Sequence, residues 1–173
     1  MVLPTPLTRR AAALGLLGFG LTGCSLFEPG PVQCPNISIV PDAARLVRYS
    51  PGGSDLTDVR FEANIEQITP VCTRSSTTLD IDMTMVITAR RGPAMPEGTA
   101  DFSYFVAVTT ADRRLLARQD FPVSLPLGPQ GRRARLTELV QPQIPLTETE
   151  SQFSFQVFVG LVVTREELQQ NRG

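Results

Sequence analysis

The stretch Ser151–Val163, which reads Ser-Gln-Phe-Ser-Phe-Gln-Val-Phe-Val-Gly-Leu-Val-Val, gives the clearest indication of the fold. Every second side chain in it is apolar, and this alternation predicts a β-strand with one face in a core. The set expected to face the core is Phe153, Phe155, Val157, Val159, Leu161 and Val163. Several residues of the opposite face are apolar as well, so we expect something to cover part of that face.

The same alternation recurs upstream. Val59–Glu66 and Thr77–Arg90 are the next clearest strands, and Thr69-Pro70 is expected to end the first of them. Weaker strand candidates are 37–40, 44–49, 101–110, 115–125 and 132–140, and a short helix is the alternative for the last one. About eight strands joined by Pro/Gly-rich turns predict an all-β fold. We expect a single antiparallel β-sandwich in the style of immunoglobulin or fibronectin type III domains, with a closed barrel as the alternative.

The chain begins with the layout of an export signal. Arg9 and Arg10 precede an apolar segment, Leu14–Cys24, that ends in Leu-Thr-Gly-Cys. This ending resembles the lipobox of bacterial lipoproteins, which implies that Cys24 is lipidated and becomes the new N-terminus. The residue that follows, Ser25, is not the Asp that implies inner-membrane retention, which favours the outer membrane, facing the periplasm. Sec and twin-arginine export both remain open.

Four segments follow from these patterns. Residues 1–23 are predicted to be a cleaved lipoprotein signal peptide, and residues 24–33 an acylated N-terminus and tether. Residues 34–163 are predicted to form the sandwich domain. The sequence Thr164-Arg165-Glu166-Glu167 predicts a capping box that begins a short helix over 164–173. Cys34 and Cys72 remain as a pair in an oxidising compartment, so we expect a disulfide between them.

Composition excludes several classes of function. The chain has no His, Lys or Trp, which excludes Ser-His-Asp and Ser-Lys catalysis. Beyond Cys24 there are 14 arginines and 17 acidic residues, a net charge of about −3 that does not favour nucleic-acid binding. We therefore expect no enzyme activity, no cofactor and no metal.

Two charged clusters are weaker candidates for sites. Asp80 and Asp82, with Asp101 or Glu97, form a possible Ca²⁺ site, although a solvated strand face is the preferred interpretation. Arg113-Arg114 and Arg132-Arg133-Arg135 form a possible basic patch for anionic lipid or polysaccharide, with solubility as the preferred interpretation.

Several segments of the sequence resemble a known protein family. Cys34-Pro35, Asp55–Val59, Phe102–Thr109 and the end of the chain, Val159–Leu168 followed by Asn171-Arg172, resemble a family of uncharacterised Gram-negative envelope lipoproteins. The resemblance implies an envelope location and the domain limits given above. It implies no activity.

The functional expectation is a membrane-anchored envelope lipoprotein with a non-catalytic domain that binds or supports another envelope protein. Its partners would be the lipid bilayer, through acylated Cys24, and an envelope protein. The candidate docking face is the apolar second face of three strands, Val86, Phe105, Phe158 and Val162, with Phe105 and Phe158 as anchors. The preferred interpretation is that the chain covers this face itself, with the 164–170 helix or the Pro-rich 141–146 segment. The alternatives are a binding module for envelope polysaccharide and, less favoured, a carboxylate-based hydrolase.

Overall fold

A computed structural model describes residues 30–96, 98–128 and 132–172 of the chain. These residues form strands in two sheets and one short C-terminal helix, so the predicted all-β fold is confirmed. The described residues contain ten strands, where about eight are expected from the sequence. The elements are β1 (Gly30–Val32), β2 (Asn36–Ile39), β3 (Arg45–Tyr49), β4 (Val59–Arg74), β5 (Thr78–Arg91), β6 (Gly98–Thr110), β7 (Leu115–Leu127), β8 (Arg133–Val140), β9 (Gln143–Pro145), β10 (Phe155–Leu161) and α1 (Arg165–Arg172).

The strands divide between a six-stranded and a four-stranded sheet. The six-stranded sheet has the order β1-β4-β5-β8, with β3 also paired to β4 and β9 to β5. The four-stranded sheet has the order β2-β10-β6-β7. All of these pairs are antiparallel except β2 with β10, which is parallel.

The core lies between the two sheets, where the alternating apolar residues of each strand meet. Burying a large aliphatic side chain contributes about 1.5–3 kcal/mol, so this layer supplies most of the stabilisation. Fully buried side chains come from both sheets: Leu46, Leu79, Ile81, Met83, Met85 and Ile87 from one, and Tyr104, Leu127, Val157, Val159 and Leu161 from the other.

Strand β4 continues through Thr69-Pro70 to Arg74, so the expectation that this dipeptide ends the strand is wrong. A bulge between Ile65 and Gln67 inserts one extra residue and shifts the alternation, which brings Cys72 to the core face. Pro70 is tolerated because β3 pairs with residues 59–64 and β1 with residues 72–74. Between these two segments, within the described residues, this edge of β4 has no partner strand. Proline is found at such edges.

The disulfide Cys34–Cys72 is present, as the sequence predicts, with Cα atoms 5.3 Å apart. It joins the connection between β1 and β2 to the end of β4. Gly30–Val32 pairs with Arg74, Thr73 and Cys72, so these residues are a strand and not part of the tether expected over 24–33. The signal peptide predicted over residues 1–23 and the predicted lipidation site Cys24 lie outside the described residues.

At the other end of the chain, Gln152–Ser154 is a 3-10 turn and β10 begins only at Phe155. Phe153 is therefore exposed rather than in the core. The predicted capping box of α1 is confirmed: the Thr164 amide donates to Glu167 Oε2 at 2.7 Å, and the Glu167 amide donates to Thr164 Oγ1 at 3.2 Å. Glu167 also accepts from Arg48 of β3, which ties the helix to the sheet edge. Within the described part of the chain, no helix has the length and hydropathy needed to cross a membrane.

Candidate functional site

The structure separates the residues of the expected docking face. Strands β6 and β10 are neighbours, and Phe105, Phe158 and Val162 follow the outer face of the four-stranded sheet. Val86 lies in β5 of the other sheet, on its outer face, so it is not part of the same patch. Alternation within a strand shows which residues share a face, but it does not show to which sheet the strand belongs.

The outer face of the four-stranded sheet is partly covered by the chain itself. Phe105 and Phe158 are half-buried. The Arg118 guanidinium lies 4.2 Å from the centre of the Phe105 ring. A Cβ added at Gly160 would lie 2.8 Å from both the Ala43 Cβ and the Phe105 ring, so the turn that carries Ala43 sits directly on this face. Little of the predicted apolar patch is therefore open to a partner.

The acidic residues considered as a Ca²⁺ site do not converge. Asp80 and Asp82 share the outer face of the six-stranded sheet, where they accept hydrogen bonds from Gln143 at 2.5 Å and Gln141 at 2.7 Å. Asp101 lies in the other sheet and accepts from Ser124 at 2.7 Å. Glu97 is outside the described residues. No group of three or more His, Cys, Asp or Glu residues that could hold a metal occurs in residues 30–96, 98–128 and 132–172.

An open groove of about 480 Å³ lies at one end of the six-stranded sheet. Four arginines line it, namely Arg45 of β3, Arg90 and Arg91 of β5, and Arg132 just before β8. Apolar side chains form the rest of its wall: Val47, Tyr49, Leu56, Val59 and Pro93. We call this concavity the arginine groove.

Glu62 lies at the centre of the arginine groove and holds two of its arginines. Its carboxylate accepts from Arg45 Nε at 2.8 Å and from Arg90 Nη2 at 3.0 Å, and the Asn64 amide adds a third bond at 3.3 Å. Burial raises the pKa of Glu62, but these hydrogen bonds outweigh it and leave the pKa below its usual value. The carboxylate is therefore charged at neutral pH and orients the two guanidinium groups.

The end of β5 shapes the groove because Gly92 lets two backbone segments meet. The Gly92 amide donates to the Arg60 carbonyl at 2.7 Å. A Cβ at this position would lie 2.1 Å from the Val59 carbonyl oxygen, so only glycine fits. The Arg91 amide donates to the Arg132 carbonyl at 2.8 Å, which places the arginines of β5 and β8 side by side.

The basic cluster extends beyond the groove along β8. Glu66 accepts from Arg133 and, at 3.5 Å, from Arg135. The four arginines of the groove and Arg133 and Arg135 of β8 form a cluster of six. With the two glutamates that bind them (62 and 66), this cluster has a formal charge of +4. The rest of the chain beyond Cys24 has eight arginines and fifteen acidic residues, a formal charge of −7. Positive charge is therefore concentrated in this cluster, with Asp55 and Asp58 on the turn at its rim.

Only three of the five arginines considered as a possible basic patch lie in the cluster just described. Arg132, Arg133 and Arg135 belong to this cluster, but Arg113 and Arg114 lie in the β6–β7 turn at the opposite end of the sandwich. Arg45, Arg90 and Arg91 also belong to the cluster, and the alternation pattern does not indicate this. The adjacent arginines Arg90-Arg91 are visible in the sequence as a basic pair. Which arginines lie beside them in space depends on the pairing of β5 with β8.

A second concavity of about 380 Å³ lies at the open edge between the sheets, between β7 and the end of β8. Glu138 points inward from β8, and Phe121 stacks on Tyr104 with ring centres 4.9 Å apart. Tyr104 is fully buried, and within the described residues its hydroxyl has no hydrogen-bond partner. Burial and the nearby Glu138 carboxylate raise the pKa of Tyr104 well above its usual value.

Comparison with protein-family models, with curated protein sequences and with solved structures finds no match.

Proposed function

We propose that this chain is a non-catalytic, lipid-anchored domain of the bacterial envelope that binds an acidic surface of another envelope protein through the arginine groove. The observation that carries this proposal is the separation of charge. A cluster of formal charge +4 on a chain that is otherwise acidic attracts acidic partners and repels basic ones.

The chemistry of the groove fits a protein partner. Guanidinium groups bind carboxylates through two parallel hydrogen bonds, and Glu62 already orients Arg45 and Arg90. Both arginines remain accessible, with 56% and 68% of their side chains exposed. The apolar wall, with Leu56 84% exposed at its rim, offers packing area beside the charges. Interfaces between proteins combine such apolar contacts with arginine.

The position of the groove suits a domain anchored at Cys24. The described chain begins at Gly30, which pairs with Arg74 at the far end of β4. Twelve residues of β4 separate Arg74 from Glu62, and a strand rises about 3.3 Å per residue, so the groove lies about 40 Å from that end. An anchored domain would therefore hold the groove away from its own bilayer, where a partner in the periplasm can reach it.

Photo-crosslinking tests the proposal. A photoreactive residue at Leu56, beside the groove, should form an adduct with one envelope protein at an acidic segment that mass spectrometry identifies. The same probe at Phe153, at the opposite end, should not form it. The double variant R90E/R133E should lose the adduct, and R165E, on the exposed face of α1, should keep it.

High salt should weaken the adduct, since exposed ion pairs are screened over a Debye length of about 8 Å at physiological ionic strength. An adduct that forms equally in R90E/R133E would contradict the proposal. A protease-resistant adduct sensitive to glycosidases would point to envelope polysaccharide instead.

Lipidation at Cys24 is the second part of the proposal and is tested separately. The variant C24A should leave the signal peptide uncleaved and move the protein out of the detergent phase in a phase-separation assay. Unchanged cleavage and partition would contradict lipidation.

A further inference from the structure

Exposed apolar side chains gather at the end of the sandwich opposite the arginine groove. Leu115 and Leu116 follow the β6–β7 turn and are 58% and 43% exposed, and Phe153 is 55% exposed. The Ala111 amide donates to the Ser154 carbonyl at 2.8 Å, so the turn and Phe153 lie next to each other. We call residues 111–116 together with Phe153 the apolar tip.

The chain enters the domain at this same end. Gly30 pairs with Arg74. The Arg74 guanidinium donates to the Glu150 carbonyl at 2.8 Å and to Gln152 Oε1 at 3.2 Å, which connects the end of β4 to the turn that carries Phe153. Six residue steps separate Cys24 from Gly30, and such a segment spans at most about 20 Å. A lipid on Cys24 would thus hold this end of the domain close to the bilayer.

We propose that the apolar tip rests in the surface of the bilayer that holds Cys24. This inference rests on the proposed lipid anchor. Leu115, Leu116 and Phe153 enter the boundary between headgroups and acyl chains, as the apolar faces of interfacial segments do. The lipid phosphates accept hydrogen bonds from Arg113 and Arg114, whose long side chains keep the charge at the headgroup level.

The charges around the tip specify the kind of surface. Asp112 lies in the turn itself, where it accepts from Thr110, and Glu148 and Glu150 lie in the neighbouring loop. Asp80 lies opposite Thr73 at the same end, so four acids accompany the three arginines Arg74, Arg113 and Arg114. Contact therefore depends on apolar insertion and on local pairing with phosphate, and it does not require a strongly anionic membrane.

Tryptophan fluorescence tests this contact cleanly because the chain has no Trp of its own. The lipidated full-length variants L115W and F153W are reconstituted into vesicles of phosphatidylethanolamine and phosphatidylglycerol whose acyl chains are brominated. Their emission should shift to shorter wavelength and fall about twofold or more relative to unbrominated vesicles. L56W, at the groove end, is the matched control and should show neither change.

Vesicle flotation separates the two proposals. If the mature protein isolated from cells that express the full precursor fails to float with the vesicles, the anchor is refuted and this inference with it. If the protein floats but L115W and F153W are quenched no more than L56W, the tip contact alone is refuted. Adding R113E/R114E to L115W should reduce the quenching by about half or more if the arginines pair with phosphate, and unchanged quenching would remove them from the contact.

Discussion

Removing the Tyr104 hydroxyl should stabilise this protein. The Tyr104 ring is fully buried and stacks on Phe121. Within the described residues its hydroxyl makes no hydrogen bond of normal geometry, although the Glu138 carboxylate lies close to it. A buried polar group without a partner costs about 1–3 kcal/mol, so Y104F should raise the free energy of unfolding at pH 7 by about 1 kcal/mol. For a domain of this size that corresponds to an increase in Tm of about 3–5 °C.

The same variant should change the response to alkaline pH. Burial, and then the nearby Glu138 carboxylate, raise the pKa of Tyr104 above the 10.0 expected of the unfolded chain. The folded protein therefore keeps the phenol proton when the unfolded chain has lost it, so stability is full below pH 10 and falls as the pH rises. The wild type should lose about 1.4 kcal/mol more than Y104F between pH 9 and pH 11.

Urea denaturation followed by circular dichroism at pH 7, 9, 10 and 11 measures both effects. Y49F is the matched control, because Tyr49 is half-buried at the edge of the arginine groove and its hydroxyl can reach water. A loss of about 1 kcal/mol or more in Y104F at pH 7 would refute the reasoning, since it would mean that the hydroxyl donates a full hydrogen bond to Glu138. Equal alkaline slopes in Y104F and wild type would refute the pKa argument.

Three further changes test how the domain is held together. Replacing both Cys34 and Cys72 with Ser should cost about 4 kcal/mol, measured by urea denaturation against the oxidised wild type, because the disulfide closes a loop with a sequence separation of 38. G160A should cost about 1–3 kcal/mol, since its Cβ would lie 2.8 Å from Ala43 and the Phe105 ring, whereas G128A has open space and should be neutral. T164A should lower the free energy of unfolding by about 1 kcal/mol through loss of the α1 cap, and T164S should restore it.

Some features were determined by the sequence alone because they depend on near neighbours. The alternation of Met83, Met85 and Ile87 assigned them to one face of a strand, and all three are buried. The capping box at Thr164 depends on residues three apart, and it forms as predicted. The disulfide followed from having a single cysteine pair beyond Cys24.

Local pattern was misleading where a tertiary contact overrode it. Thr69-Pro70 looks like the end of a strand, yet β4 continues because its partner β5 is long and the facing edge is unpaired there. Phe153 matches the period of β10, yet a 3-10 turn places it in solvent. The first case depends on strands far away in the sequence. In the second, a capping box between Ser151 and Ser154 closes the turn locally, and the distant Ala111 amide donates to the Ser154 carbonyl.

Only the tertiary structure decided which strands are neighbours, and with them the candidate sites. Val86 was grouped with Phe105 and Phe158 because all three break alternation, but β5 belongs to the other sheet. Arg91 and Arg132 meet because β5 pairs with β8 in antiparallel register, over a separation that no local signal spans. Pairing between strands depends on the whole chain, because it is set by which apolar faces can be buried together. Alternation within one strand indicates only that one of its faces must be buried.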